Sequence, residues 1–158
     1  MTALVIYDSV FGNTEKIALA IGDALRAKEA VSVLKVEQAT VDDMMEAALL
    51  VVGSPTRAFQ PTPEIKKLLG SIPRNGLKGV KVAAFDTRAE IETVGSAVLT
   101  FFVKLFGYAA EPIAKQLQRK GGQLVAPPEG FFITDTEGPL KEGELERAAR
   151  WASGLMTG

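Results

Sequence analysis

Apolar residues along the chain alternate between short unbroken runs and stripes at three-to-four spacing. Ala3 to Tyr7 is apolar on both faces and too short for a helix, which suits a parallel strand covered on each side. Ile17, Ala18, Ile21, Ala24 and Leu25 then recur at helical spacing, with Glu15 and Lys16 opening a helix that ends near Lys28. Val31 to Val36 reads as a second strand, Asp42 to Glu46 as a weak helix, and Ala48 to Val52 as a third strand stopping at Gly53. Pro61 and Pro63 mark a helix start whose stripe is Ile65, Leu68 and Leu69, closed by Gly70, before a fourth strand from Val80 to Phe85. Val94 to Phe106 is apolar nearly all round, predicting a short buried helix or a cover over something apolar, and Gly107 interrupts it. Ala110, Ile113, Ala114 and Leu117 predict an amphipathic helix closed by Gly121 and Gly122. Gln123 to Ala126 and Gly130 to Ile133 read as a fifth strand broken in two around Pro127 and Pro128. Leu145, Ala148, Ala149, Ala152 and Leu155 place a last helix against the sheet, with Trp151 beside that stripe. Parallel neighbours need right-handed crossover helices, so this alternation predicts an α/β fold with a doubly wound parallel sheet, its ligand at the carboxyl ends of the strands.

Composition narrows the chemistry. With 158 residues, 47% hydrophobic, and no repeat or linker, one domain over 1–158 is expected. The net charge of -1 gives no global attraction for nucleic acid or an anionic membrane. The chain has no Cys and no His, so disulfides, thiolate nucleophiles, iron–sulfur ligation and the commonest metal ligand are excluded. Redox or group-transfer chemistry must then come from a bound cofactor. No run approaches the ~20 apolar residues of a membrane helix, and no basic region precedes the first strand, so a cytoplasmic protein is expected. Charge is nevertheless uneven: Arg57 to Lys81 holds six Lys or Arg against one Glu, and Glu129 to Glu146 holds six acids against Lys141. Such polarity suits a docking surface, or simply solvated helix faces.

The junction between the first strand and first helix reads Tyr7-Asp8-Ser9-Val10-Phe11-Gly12-Asn13-Thr14. A helix start offers unpaired N–H groups and a partial positive charge, Gly12 allows close approach, and Ser9, Asn13 and Thr14 add polar side chains. That set suits a phosphate held without a cation; capping of the helix by Asn13 or Thr14 would explain one polar residue only. No Gly-Lys-Ser/Thr and no G-x-G-x-x-G follows the strand, and Gly53-Ser54 stands where a receiver domain would carry an Asp. The spacing of Tyr7, Ser9, Gly12, Thr14, Ala18 and Ile21 resembles the phosphate-loop signature of the flavodoxin family.

The resemblance implies a flavodoxin-like three-layer sandwich, a five-stranded sheet in order 2-1-3-4-5, and non-covalent FMN. Two further loops look like those gripping the isoalloxazine in that family: Ser54, Pro55, Thr56, Arg57, Ala58 and Phe59 in one, Asp86, Thr87 and Arg88 in the other. Asp86 is a candidate acceptor for the ring N3–H, and Phe59 for stacking on a ring face. The chain departs from the family where Ala89 and Glu90 replace an aromatic residue, leaving Phe101, Phe102, Phe106 or Tyr108 as stacking candidates. It also has no Gly within Thr56 to Gln60, and it lacks the family's marked acidity. Arg57 and Arg88 would instead bring positive charge that favours reduced, anionic flavin. The implied function is electron carriage between a protein reductase and a protein acceptor, by a monomer or weak dimer. The alternatives are an NAD(P)H-dependent quinone or flavin reductase walled by Val94 to Tyr108, and a binding module that holds flavin loosely.

Overall fold

The computed structural model describes residues 2–57, 60–89, 108–135 and 137–156. Its strands are β1 (Thr2–Tyr7), β2 (Ala30–Lys35), β3 (Leu49–Pro55), β4 (Lys81–Ala89), β5 (Gln123–Leu124) and β6 (Glu129–Ile133). Its helices are α1 (Asn13–Leu25), α2 (Val41–Glu46), α3 (Pro63–Gly70), α4 (Ala110–Arg119) and α5 (Glu144–Leu155), with a 3-10 turn at Val36–Gln38. The sheet runs β2-β1-β3-β4-β5, with β6 also beside β4, and the described strand pairs are parallel. The predicted order and the broken fifth strand are both present: β5 pairs with Lys81 and Val82, and β6 with Phe85 to Ala89.

Central strands are apolar on both faces because both are covered. Ile17, Ile21 and Leu25 of α1 and Ala148, Ala152 and Leu155 of α5 pack on one face with Val5, Val51 and Phe85. Met44, Ile65, Leu69, Ile113 and Leu117 pack on the other with Leu4, Ile6, Leu50 and Val82. Each Val, Leu, Ile, Met or Phe among them contributes about 1.5–3 kcal/mol when fully buried, so these stripes hold the helices to the sheet. Trp151 closes the first core edge-on to Phe85 and Phe131, with ring centroids 6.2 and 5.9 Å away. Phe85 lies across β3 because residue 53 is glycine: a Cβ there would stand 2.0 Å from the ring.

Among the boundaries that differ from expectation, two shape the site. β3 continues past Val52 to Pro55, and β4 past Phe85 to Ala89. Asp86, Thr87 and Arg88, expected in a loop, are strand residues paired with Gly130, Phe131 and Phe132. The predicted apolar element at 94–106 lies outside the described residues, and no described helix is long and apolar enough to cross a membrane.

The start of α5 is clipped to β6 by buried charge. Glu144 accepts from the Phe132 N–H at 2.8 Å and pairs with Arg147 at 2.7 Å, while Arg147 donates to the Gly130 carbonyl and lies over the Phe131 ring. Burial pushes the Glu144 carboxyl up, but the bonds from Arg147 and Phe132 outweigh it and the net shift is downward. A carboxylate lowered in the fold stabilises it fully above its unfolded-state pKa, about 4.3, and loses that effect as pH falls through the folded value. Glu144→Gln should therefore cost about 1–2 kcal/mol at neutral pH and flatten the acid limb of stability below that range. Urea unfolding followed by circular dichroism between pH 3 and 7 checks this; an unchanged acid limb would remove Glu144 from the account.

Candidate functional site

The site begins where β1 ends. Asp8 N–H bonds the Gly53 carbonyl at 3.1 Å, anchoring the chain at the carboxyl edge of the sheet, and the Asp8 carboxylate accepts from Ser9 N–H at 2.9 Å. Ser9 Oγ accepts from the N–H groups of Gly12, at 3.0 Å, and Glu15, at 3.4 Å, drawing the loop into a tight turn. Gly12 takes φ +91° as the N-cap of α1, with no side-chain cap. The N–H groups of Val10, Phe11, Asn13 and Thr14 have no acceptor among the described residues. Unpaired N–H groups at a helix start carry the positive end of the helix dipole, an arrangement that can accept an anion. Tyr7 braces it by donating to Glu15 Oε2 at 2.8 Å; burial, then that bond and the charges of Glu15 and Glu37, push its hydroxyl pKa up to about 12.

Two hydroxyls meet behind the loop. Thr14 Oγ1 lies 2.8 Å from Thr87 Oγ1, both side chains being buried. Their mutual bond uses one hydroxyl proton, which leaves the other free for a ligand oxygen. Asn13 turns sideways and donates to the Glu137 carbonyl at 2.8 Å, while Gly138, at φ +107°, packs so closely that a Cβ would stand 2.6 Å from the Asn13 carboxamide.

The opposite wall comes from the ends of β3 and β4. Thr56 N–H bonds the Thr87 carbonyl at 3.0 Å, and Arg57 and Gln60 exchange backbone bonds of 2.8 and 2.9 Å. Arg88 donates to both Asp86 oxygens at 2.7 Å, Tyr108 covers the guanidinium with its ring centroid 3.6 Å away, and Ala110 N–H donates to Asp86 at 2.9 Å. Gly130 makes room for this fork, since a Cβ there would stand 2.1 Å from Arg88 Nε. Burial pushes the Asp86 carboxyl up, and the bonds from Arg88 and Ala110 offset it only in part.

Val10, Phe11, Asn13, Thr14, Pro55, Thr56, Arg57, Thr87 and Arg88 line one cavity of about 360 Å³, within the range of small-molecule sites. Ser9 and Gly12 shape it from behind through the turn they make. Ser54 is fully buried, donating to the Pro55 carbonyl and accepting from Thr62 N–H, so its hydroxyl holds the turn into α3. Asp86, expected as an acceptor for a ring N–H, has no exposed surface and spends its oxygens on Arg88 and Ala110. Its partnership also changes the expectation for charge: Arg88 is matched by Asp86, whereas Arg57 is exposed, without an ion pair among the described residues, and 5.9 Å from the Phe11 ring centroid. Tyr108, a stacking candidate for the ring, packs instead on Arg88. Ala58, Phe59, Phe101, Phe102 and Phe106 lie outside the described residues. The cavity also draws on Ala89, Ile133 and Glu137, which sequence reasoning missed; the Glu137-Gly138-Pro139 turn was the available signal for the last of these.

Comparison with known proteins decides the family. The model of the flavodoxin family matches residues 5–151. The chain belongs to the flavodoxin family. Among solved structures, this flavodoxin family member is similar to a flavodoxin from the domain Archaea, with a TM-score of 0.77, 22% identity, and coverage of 99% of this chain and 97% of that one. It is similar to oxidised flavodoxin 1 from Bacillus cereus at a TM-score of 0.77 and 16% identity, covering 99% and 98% of the two chains. It also superposes on part of rubredoxin oxygen:oxidoreductase from Desulfovibrio gigas, with a TM-score of 0.73 and 19% identity, covering 99% of this chain and 35% of that one. No curated protein matches the sequence. At these identities the neighbours establish the fold, and the family implies flavin binding, typically of FMN. The donor set here fits that group: free N–H groups and a spare hydroxyl proton for a phosphate, beside a cavity with apolar and polar walls.

Proposed function

We propose that this flavodoxin-family chain holds FMN non-covalently and carries electrons between protein partners. The observation that supports this reading most directly is the set of unpaired N–H groups at Val10, Phe11, Asn13 and Thr14, opening on the cavity from the start of α1. These groups and the Thr14–Thr87 pair would hold the phosphate, and Pro55 to Arg57 with Thr87 to Ala89 would border the ring. Bound FMN supplies the one- and two-electron chemistry that a chain without Cys or His lacks. Arg57 offers the positive charge that favours a reduced anion, and Val10 and Phe11, each 50% exposed, present an apolar rim to a partner.

Titrating the apoprotein with FMN should show saturable binding at micromolar flavin, with quenched fluorescence. Riboflavin, which lacks the phosphate, should bind about a hundredfold more weakly, as expected when two or more charge-assisted bonds are lost. Equal affinity for the two, or no saturation, would remove the phosphate-cradle reading. NADPH alone should leave the bound flavin oxidised; rapid bleaching would move the chain to the reductase class.

A further inference from the structure

Exposed cations without an ion pair are more numerous on one helical face than on the other. On the face of α1 and α5, Arg26 pairs with Asp23 and Arg147 with Glu144 and Glu129, leaving Lys16, Lys28 and Arg150 exposed without an ion pair among the described residues. On the face of α3 and α4 and the loop that follows α3, Lys66, Lys67, Arg74, Lys78, Lys115 and Arg119 are all exposed, and none makes an ion pair among the described residues. Only Glu64 and Glu111 oppose them within these helices. Clustered like charges repel each other, so the arrangement costs stability in the free protein, a cost that an oppositely charged partner would relieve.

The same face carries a groove of about 280 Å³ between α3 and α4. Leu69 and Ile113, both buried, form its floor, Pro61 and Pro112 flank it, and Lys66 and Arg119 stand on its rim. The groove adjoins the cavity: Pro61 follows Gln60, which is bonded to Arg57, and Ala109 N–H, at the start of α4, donates to Thr56 Oγ1 at 3.2 Å. An apolar floor inside a charged rim is the anatomy of a protein interface. A nucleic acid held through its phosphates gains nothing from Leu69, Ile113 and two prolines.

We infer that the α3–α4 groove and its cationic rim dock an acidic protein redox partner. The inference rests on the electron-carrier reading and adds the sign of the partner's surface and the face it uses. Docking there sets carboxylates against Lys66 and Arg119 while the partner's edge reaches the Thr56–Arg57 wall of the cavity.

The test uses the intact chain, isotopically labelled, titrated at about 20 mM salt with an acidic plant-type [2Fe–2S] ferredoxin as probe, where charge attraction is weakly screened. Amide signals of residues 61–69 and 111–119 should shift or broaden, and affinity should fall about tenfold on raising salt to about 0.15 M. The double variant Lys66→Glu/Arg119→Glu should bind about tenfold more weakly again, whereas Lys16→Glu/Arg150→Glu, on the α1–α5 face, should bind as the parent does. Perturbation confined to another face, or an unchanged affinity in the first variant, overturns the assignment. So does tighter binding of a short duplex DNA to the same residues. Visible absorbance of each sample reports FMN separately: docking without flavin would defeat the FMN reading alone, and flavin without docking this inference alone.

Discussion

Asp86→Ala should destabilise the chain by about 3–5 kcal/mol, because it leaves a charge stranded in the interior. The Arg88 side chain is 16% exposed, pressed between the Tyr108 ring and the Gly130 backbone, and its fork is matched only by the Asp86 oxygens among the described residues. Ala110 N–H would lose its acceptor as well, loosening the start of α4. Since burial already drives the Asp86 carboxyl upward despite its partner, the pair is kept at a net desolvation cost. Replacing both members with apolar residues, Asp86→Leu with Arg88→Met, should therefore come within about 1 kcal/mol of the parent. Urea unfolding measures both. A single-variant loss under about 1 kcal/mol would mean that Arg88 finds solvent and that the fork does not hold β4 to α4.

Gly12→Ala should weaken FMN binding about tenfold to a hundredfold, and the comparison that isolates the effect is built into the fold. Gly12 caps α1 at φ 91°, ψ −7°, and Gly143 caps α5 at φ 88°, ψ −6°. Neither would crowd a neighbouring atom if given a Cβ, so alanine at either place meets the same left-handed backbone penalty of about 1–2 kcal/mol. Both variants should lose comparable stability. Only Gly12→Ala should lose flavin affinity, because its relaxation re-aims the N–H groups around it. Equal FMN affinity in the two variants would show that the turn at Gly12 is an ordinary cap.

The alternation of runs and stripes made the sheet and helices legible, since the covered strands need unbroken apolar runs and the helices a single apolar face. The tight turn before α1 was legible too, as its parts lie within eight consecutive residues. The wall of the site was not. Asp86, Thr87 and Arg88 look like a loop because polar residues normally end a buried strand; here Thr87 is satisfied by Thr14, and Asp86 by Arg88 and Ala110. Thr14 and Ala110 lie far from their partners along the chain and leave no local pattern, and a long separation likewise hid the contact of Asn13 with Glu137. Ser54 shows the opposite error, because a hydroxyl beside a ligand and one bridging a turn look alike in a sequence.

The broken fifth strand has a consequence for how the molecule behaves in a crowd. β5 is two residues long, β6 five, and Pro127 and Pro128 between them have no N–H to give. The border of the sheet therefore never offers a neighbour the continuous row of donors and acceptors on which foreign strands add, and concentrated solutions are protected on that side from fibrous stacking.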